Sequence, residues 1–200
     1  MTEPDLDAGA PPLVASSIVA GVRRLIGEHT DLLAVRRALA VRHPEAVESM
    51  DAPPAGEWAD AHKYSALLEA TREMIGEAQL RTLGRARVLE TQQSGALSPL
   101  LRSWTRSYSE DPVQFLRVAP HTWAAGTRNL GRMKLASSRP GEVRFELEGA
   151  PPMLRTARAW LRFLEGFGDG LLEIAHLSGT CSIGSSPDRG DVIDVVFRWS

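Results

Sequence analysis

GRMKLASSRPGEVRFELEG, residues 131–149, is where the chain changes its period. Val143, Phe145 and Leu147 alternate with Arg144, Glu146 and Glu148. Successive side chains of a strand point to opposite faces, so this run predicts a half-buried strand. GRMKLASS (131–138) also alternates, and Arg139-Pro140-Gly141 between the two runs supplies a turn. One apolar and one charged face fit an antiparallel sheet with a solvated side.

Working outward towards the C-terminus, Met153–Phe167 reads as a helix, with Leu154, Ala157, Trp160, Leu161 and Leu164 on its apolar side. GFGDG (166–170) is read as its stop, because glycine is the favoured residue just past a helix end. LLEIAHLS (171–178) and DVIDVVFRW (191–199) then read as two more strands. The Ser/Gly-rich GTCSIGSSPDRG between them is read as a loop.

Towards the N-terminus the period is helical. Helices are expected at about 13–28, 31–42 and 60–91, the last with a break near Gly76. Thr30 or Asp31 is placed to cap the second. Pro44 opens a short helical turn, and DAPPAGEW (51–58) reads as a loop. Ser98-Pro99 begins a helix over 98–109, Asp111-Pro112 repeats that start, and a short helix follows around His121–Thr127. Helices followed by strand–strand–helix–strand–strand lack the alternation of a doubly wound sheet. The expected fold is α+β: N-terminal helices, then an antiparallel sheet of about four strands covered on one face by helices. Residues 13–200 are expected as one domain, with a helical part (13–129) and a sheet-rich part (130–200). The acidic, Pro-rich residues 1–12 read as a disordered tail.

Composition narrows the function classes. Hydrophobic residues are 43% and charged residues 24%, the balance of a globular chain. No run reaches the roughly 18 apolar residues that suggest a spanning helix. The first residues lack a secretion signal, so the expected compartment is the cytoplasm. A net charge of -2 leaves no basic surplus for nucleic acid. The single cysteine, Cys181, excludes an intrachain disulfide and a Cys-rich zinc cage.

No nucleotide or protease motif is present. GFGDG follows a helix, whereas phosphate-cradling glycines lead from a strand into one. His29, His43 and His62 lie in polar contexts and are expected on the surface. His121, in VAPHTWAAG, has apolar and aromatic neighbours. Glu173, His176 and Cys181, with Asp191 or Asp194, form a weak metal candidate. It would need a bulge, since positions 173 and 176 of a regular strand face opposite ways. Cys181 with His176 is the only nucleophile pair to weigh. The rings are the stronger feature. Trp104, Tyr108, Phe115, Trp123, Trp160 and Phe163 lie on or beside the covering helices, with His121 among them. They are either packed core or the walls of a cavity for a small apolar or aromatic ligand.

Several blocks carry a family resemblance: Leu83-Gly84-Arg85, FLRVAPHTWAAGTRNLG (115–131), EVRFELEG, the helix ending in GFGDG, and GDVIDVVFRW (190–199). Together they resemble the 4-vinyl-reductase-type domain and its haem-nitric-oxide-binding relatives, whose fold is shared by nitric-oxide signalling and Golgi-transport proteins. More narrowly, Trp58, Leu67–Ala70, Gly76 and Leu83–Arg85 are similar to a myxobacterial paralogous family of comparable length. The resemblance implies a ligand-binding or interaction module, often dimeric, rather than a catalyst. Some such relatives hold zinc on closing-strand cysteines, where this chain has His176 and Asp194. Haem-binding relatives use a proximal histidine and a Tyr-x-Ser-x-Arg motif. That motif is missing here, which leaves His121 as the haem candidate.

The leading expectation is a non-enzymatic cytoplasmic sensory or adaptor module with a small apolar ligand between helices and sheet. No cofactor is expected, with haem or zinc as the exceptions to watch. The alternatives are a ligand-free module for a homodimer or protein partner, and a metal- or haem-binding protein using His121 or Glu173/His176/Cys181.

Overall fold

The computed structural model describes residues 10–51, 54, 56–93, 98–108, 111–185 and 189–200. Most of the 1–12 tail, parts of the 51–58 and 179–190 loops and the side chain of Ser98 lie outside the described residues. Pro11 and Pro12 are tied down. The Asn129 Nδ2 donates to the Pro11 carbonyl at 3.1 Å and the Ala61 N–H to the Pro12 carbonyl at 3.1 Å.

The chain is α+β, as the change of period predicts. The main sheet is antiparallel and four-stranded, in the order β4 (Arg132–Arg139), β5 (Glu142–Glu148), β7 (Ile193–Trp199), β6 (Gly179–Ser185). In β5 the burial alternates as the sequence does, with Val143, Phe145 and Leu147 inside. Across the register Phe145 faces Val195 and Leu147 faces Ile193. These apolar pairs join the sheet to the helices above it.

A second, three-stranded sheet was not foreseen. β1 (Leu13–Ala15) lies between β2 (Trp58–Asp60) and β3 (Thr127–Arg128). Three-residue runs carry too little periodicity to be distinguished from a helix start. The Arg128 guanidinium stacks 4.1 Å over the Trp58 ring across this sheet.

The helices are α1 (Ser16–His29), α2 (Leu32–Arg42), α3 (Ala61–Gln93), α4 (Ser98–Tyr108), α5 (Pro112–Leu116), α6 (Val118–Gly126), α7 (Pro152–Thr156) and α8 (Arg158–Ile174). Asp31 caps α2, accepting from the Leu33 N–H at 2.8 Å, and Asp111 caps α5. Pro44–Met50 is a 3₁₀ helix. α3 breaks at Gly76, where φ is 81° and ψ 166°, a conformation that glycine enters without steric cost.

The end of the chain departs from the sequence reading. GFGDG does not stop a helix: α8 runs through it to Ile174, so the first half of LLEIAHLS is helix, the rest is turn and coil, and none of it is a strand. Glycine in a helix interior is unfavourable by roughly 1 kcal/mol relative to alanine, which is why the stretch reads as a stop. Here the glycines are contact surface. A Cβ on Gly166 would overlap the Arg81 carbonyl, one on Gly84 the Phe163 carbonyl, and one on Gly170 the Val88 side chain. α3 and α8 therefore cross with their backbones nearly touching. A third helix turn also differs, since α7 and α8 divide at Ala157. Cys181 lies in strand β6 and not in a loop. The fourth strand of the sheet is thus supplied by GTCSIGS.

Candidate functional site

The residues under the helices do not fill the space between them. A cavity of about 330 Å³ lies between the main sheet and helices α1, α3, α6 and α8. Its floor is the inner face of the sheet: Met133, Leu147, Ile193, Val195 and Phe197. α8 contributes Trp160, Phe163, Leu164 and Phe167 to the walls, and α6 contributes Ala119, Trp123 and Gly126. Ile18 and Gly21 come from α1, and Tyr64 from α3. Both aromatic helices orient their rings. The Tyr64 and Trp160 rings meet edge to face, with centroids 5.0 Å apart, and the Trp123 indole N–H donates to the Gly131 carbonyl at 3.1 Å. A buried indole usually needs such a partner, and this bond fixes the flat ring against the cavity.

One corner is polar. Arg87 donates from Nη1 to the Thr91 hydroxyl at 2.7 Å and from Nη2 to the Ser17 carbonyl at 3.1 Å. Glu90 pairs with Arg87 at 3.5 Å and also with Arg24 on α1. The guanidinium lies over Gly21, where a Cβ would collide with it. Burial holds the Arg87 pKa below its usual value. This corner ties α1 to α3 and is the one charged portion of the lining among the described residues.

The sequence-selected rings divide. Trp123, Trp160 and Phe163 line the cavity. Trp104, Tyr108, Phe115 and His121 do not. Phe115 is buried in a second apolar cluster with Phe145 and Phe197. Trp104, Tyr108 and His121 form a separate ring cluster on α4 and α6, with Trp104 edge-on to both neighbours and His121 exposed. Sequence spacing places a ring on a helix. It does not say which side of that helix faces the space. The lining missed by sequence reasoning is partly aliphatic, with Ile18, Met133 and Leu164, and also includes three rings, Tyr64, Phe167 and Phe197, that lie outside the selected set.

Glu173, His176 and Cys181 are not brought together. Glu173 pairs with Arg85 at 2.6 Å, which holds its carboxyl below the usual range. His176 sits past the end of α8 with φ 58° and is exposed. Cys181 points inward against Gly168 and lines the cavity. Among the described residues no three His, Cys, Asp or Glu side chains converge on a metal position. His29, His43 and His62 likewise stay outside the cavity lining.

Around Cys181 lies a network that the sequence reading did not identify. Glu165 and Asp169 are four apart on α8, a rise of about 6 Å along the helix axis. The N–H groups of Cys181 and Ile183, two apart on the edge strand β6, repeat at about 6.6–6.8 Å. The spacings match. Asp169 accepts from the Cys181 N–H at 2.7 Å and Glu165 from the Ile183 N–H at 3.1 Å. Arg81 on α3 closes the group, bidentate to Asp169 at 2.7 and 3.0 Å, to Glu165 at 3.3 Å and to the Cys181 carbonyl at 2.9 Å. Side chains thus pair the open edge of the sheet, which would otherwise invite another strand.

Two buried groups next to the cavity keep their protons. Burial pushes the Cys181 thiol well up, with the Asp169 and Glu165 carboxylates adding to the shift against Arg81. Burial likewise raises the Tyr64 hydroxyl, opposed by Arg87. The native state therefore binds more protons than the unfolded chain once the pH exceeds about 8.5, where an unfolded thiol ionises. Stability is expected to be undiminished by these groups below that pH and to fall as pH rises through 9 and 10. Urea midpoints between pH 8 and pH 10 test this. Cys181→Ala should flatten the first part of the slope, and an unchanged slope would contradict the assignment.

An α+β chain with a mostly apolar cavity between a helical layer and an antiparallel sheet defines a class of cavity-bearing domain. No family model matches the sequence, and no curated protein matches it. Solved structures do match the fold, H-NOX domains among them. The Fe(II) unliganded H-NOX protein from K. algicida superposes with a TM-score of 0.64 at 13% identity, covering 93% of this chain and 96% of that one. An oxygen-binding H-NOX domain related to soluble guanylate cyclases, in its oxygen complex, gives a TM-score of 0.57 at 12% identity, covering 92% and 94%. A variant of the T. tengcongensis H-NOX gives 0.58 at 12%, covering 92% and 97%. The chain has the H-NOX-like fold over nearly its whole length.

The fold raises the question of haem, which the lining of this cavity answers poorly. Haem iron is held by histidine, a cysteine thiolate, tyrosine, or methionine alongside histidine. No histidine lines the cavity, and His121 faces Trp104 on the far side of α6. The Cys181 thiol and the Tyr64 hydroxyl are both driven to their protonated forms. Met133 has no histidine across from it in the lining. These residues do not fit an axially ligated haem. No helix among the described residues is long and apolar enough to cross a membrane.

Proposed function

We propose that this chain is a non-enzymatic sensory module that binds a small apolar or aromatic molecule, without haem, in the cavity beneath α8. The observation that carries the reading is the lining. Flat rings and aliphatic side chains surround about 330 Å³, within the size range of ligand sites, and the charged groups are confined to one corner. Among the described residues no metal cluster adjoins that space, its one thiol, Cys181, is held protonated, and its one carboxylate, Glu90, is paired with Arg87 and Arg24. A ligand acts on such a domain only through different affinity for two arrangements of it. The elements placed to differ are α8 and the β6–β7 hairpin, since both wall the cavity and the Glu165–Asp169 network joins them. The cytoplasm as compartment, and a homodimer or protein partner as the receiver of the signal, belong to the same proposal.

Naphthalene tests it, followed through tryptophan fluorescence and native mass spectrometry. Binding is expected in the wild type. Ala119→Leu adds bulk into the cavity and is expected to weaken binding at least about tenfold while leaving the unfolding midpoint equal or higher, since filling a void restores contacts. Trp160→Ala enlarges the space and costs about 3–5 kcal/mol of stability. Absence of naphthalene binding, or equal binding by Ala119→Leu, would overturn the reading.

A further inference from the structure

A second pocket, of about 270 Å³, opens on the surface beside the start of α8. Its composition is the opposite of the cavity's. Arg155, Thr156, Arg158 and Arg162 line it with Glu165, over an apolar base of Leu161 and Ile183. Three guanidiniums face one lining carboxylate. Glu165 is already engaged by Arg81 and by the Ile183 N–H as well as by Arg162 at 2.6 Å. Outside the lining, Glu77 takes Arg158 at 2.7 Å and Arg162 at 3.4 Å and also lies 3.8 Å from Arg72. Even with Glu77 counted, cations are in excess. Arg155 has no carboxylate partner among the described residues. Its Nη1 donates to the Gly190 carbonyl at 2.7 Å, and its Nε is buried with no hydrogen-bond partner among them.

We propose that this pocket binds a phosphate-type oxyanion. Guanidinium forks match the oxygens of phosphate in pairs, and charge-assisted bonds of that kind are the strong ones. The Thr156 hydroxyl at the same rim gives its proton to the Pro152 and Met153 carbonyls, both at 3.3 Å, so the arginines are the donors left for an anion. The first turn of α8 starts there without a side-chain cap, so its backbone N–H groups add positive potential. Position gives the site its interest. Leu161 and Ile183 line both the pocket and the apolar cavity. An oxyanion held here is separated from the cavity by those two side chains, so it arrives either as a free phosphate or as the head of a molecule whose apolar body occupies the cavity. The site stands on its own residues whichever source supplies it.

Calorimetric titration of the full chain with inorganic phosphate, 1-naphthyl phosphate and 1-naphthol tests the proposal and separates the sources. Phosphate binding is expected in the wild type, weaker at high salt, and at least about tenfold weaker in Arg155→Ala/Arg158→Ala. Both arginines lie at the surface of the pocket, and circular dichroism checks that the variant is folded. If 1-naphthyl phosphate binds far tighter than inorganic phosphate and 1-naphthol, and the double variant reduces it to the 1-naphthol level, one ligand spans both spaces. If inorganic phosphate binds as well as the naphthyl ester, the anion is separate. Binding of phosphate without 1-naphthol or naphthalene would sink the cavity reading and leave this site standing. No phosphate or naphthyl phosphate binding that depends on Arg155 and Arg158 overturns the proposal.

Discussion

Gly166→Ala is expected to destabilise the protein by about 3 kcal/mol or more, read as a fall in the urea midpoint with an unchanged slope. The sign is what makes the experiment informative. At an ordinary position inside a helix the same change stabilises by roughly 1 kcal/mol, because alanine is the better helix former. At Gly166 the new methyl would overlap the Arg81 carbonyl, and its next nearest neighbours are also Arg81 backbone atoms. A side chain could rotate away from it. A helix backbone cannot, so α3 and α8 must separate along their contact. Gly84→Ala meets the Phe163 carbonyl from the opposite helix and is expected to cost a similar amount. The two variants should be strongly non-additive, since the first opens the gap that the second needs. Gly184→Ala is the control, with nothing within 4 Å of the added atom, and should stay within about 0.5 kcal/mol of wild type. A stable Gly166→Ala protein would mean that the helices do not approach as described, and the cavity walled by Phe163 and Phe167 would have to be redrawn.

This contact also shows where the sequence could and could not be read. The alternation at Val143, Phe145 and Leu147 was legible because one strand face is buried and the other solvated. The capping aspartates Asp31 and Asp111 announced two helix starts for an equally local reason. GFGDG misled because Gly166 and Gly170 answer to Arg81 and Val88 of α3, more than 80 residues away in the chain, and Gly168 to Cys181 and Phe197 of the sheet, and propensity cannot see such partners. A signal was available in part. Gly166 and Gly170 stand one helical turn apart, the spacing that lets two helices approach closely, and Glu165 and Asp169 repeat that interval on the same helix. The misread helix end displaced what lies between it and the last strand, which stands at Ile193–Trp199 within the expected 191–199. It turned LLEIAHLS into a strand, pushed Cys181 into a loop, and left β6 unassigned. For the site, three of the seven selected residues line the cavity, Trp123, Trp160 and Phe163. The other four are rings on correct helices with different outlooks. Helix phase relative to a distant sheet is a tertiary property, and composition gives no access to it.

Asp169→Ala is expected to lower the unfolding free energy by about 2–4 kcal/mol, the second of the large effects. Two losses combine. The Arg81 side chain, 31% exposed, loses its bidentate partner, and the Cys181 N–H on the edge of β6 loses its acceptor. Asp169→Asn separates them, since the amide oxygen still accepts from the strand while the charge is gone. It should cost less than alanine, and the difference measures the strand contact. Coupling between Arg81→Ala and Asp169→Ala should be favourable by about 1 kcal/mol or more in a double-mutant cycle, because each leaves the other buried without its partner. The same substitution removes half of the cover from the β6 edge. Asp169→Ala is therefore expected to aggregate, by light scattering, at concentrations where Trp160→Ala does not. That readout distinguishes a sealing role from simple stabilisation: a variant destabilised to the same degree elsewhere, such as Trp160→Ala, leaves the edge covered. If Asp169→Ala is as stable and as soluble as wild type, the carboxylates of α8 do not pair the strand. The proposed link between the cavity, α8 and the closing hairpin would then lose its physical basis, because Glu165 and Asp169 are the groups through which a displacement of α8 reaches β6.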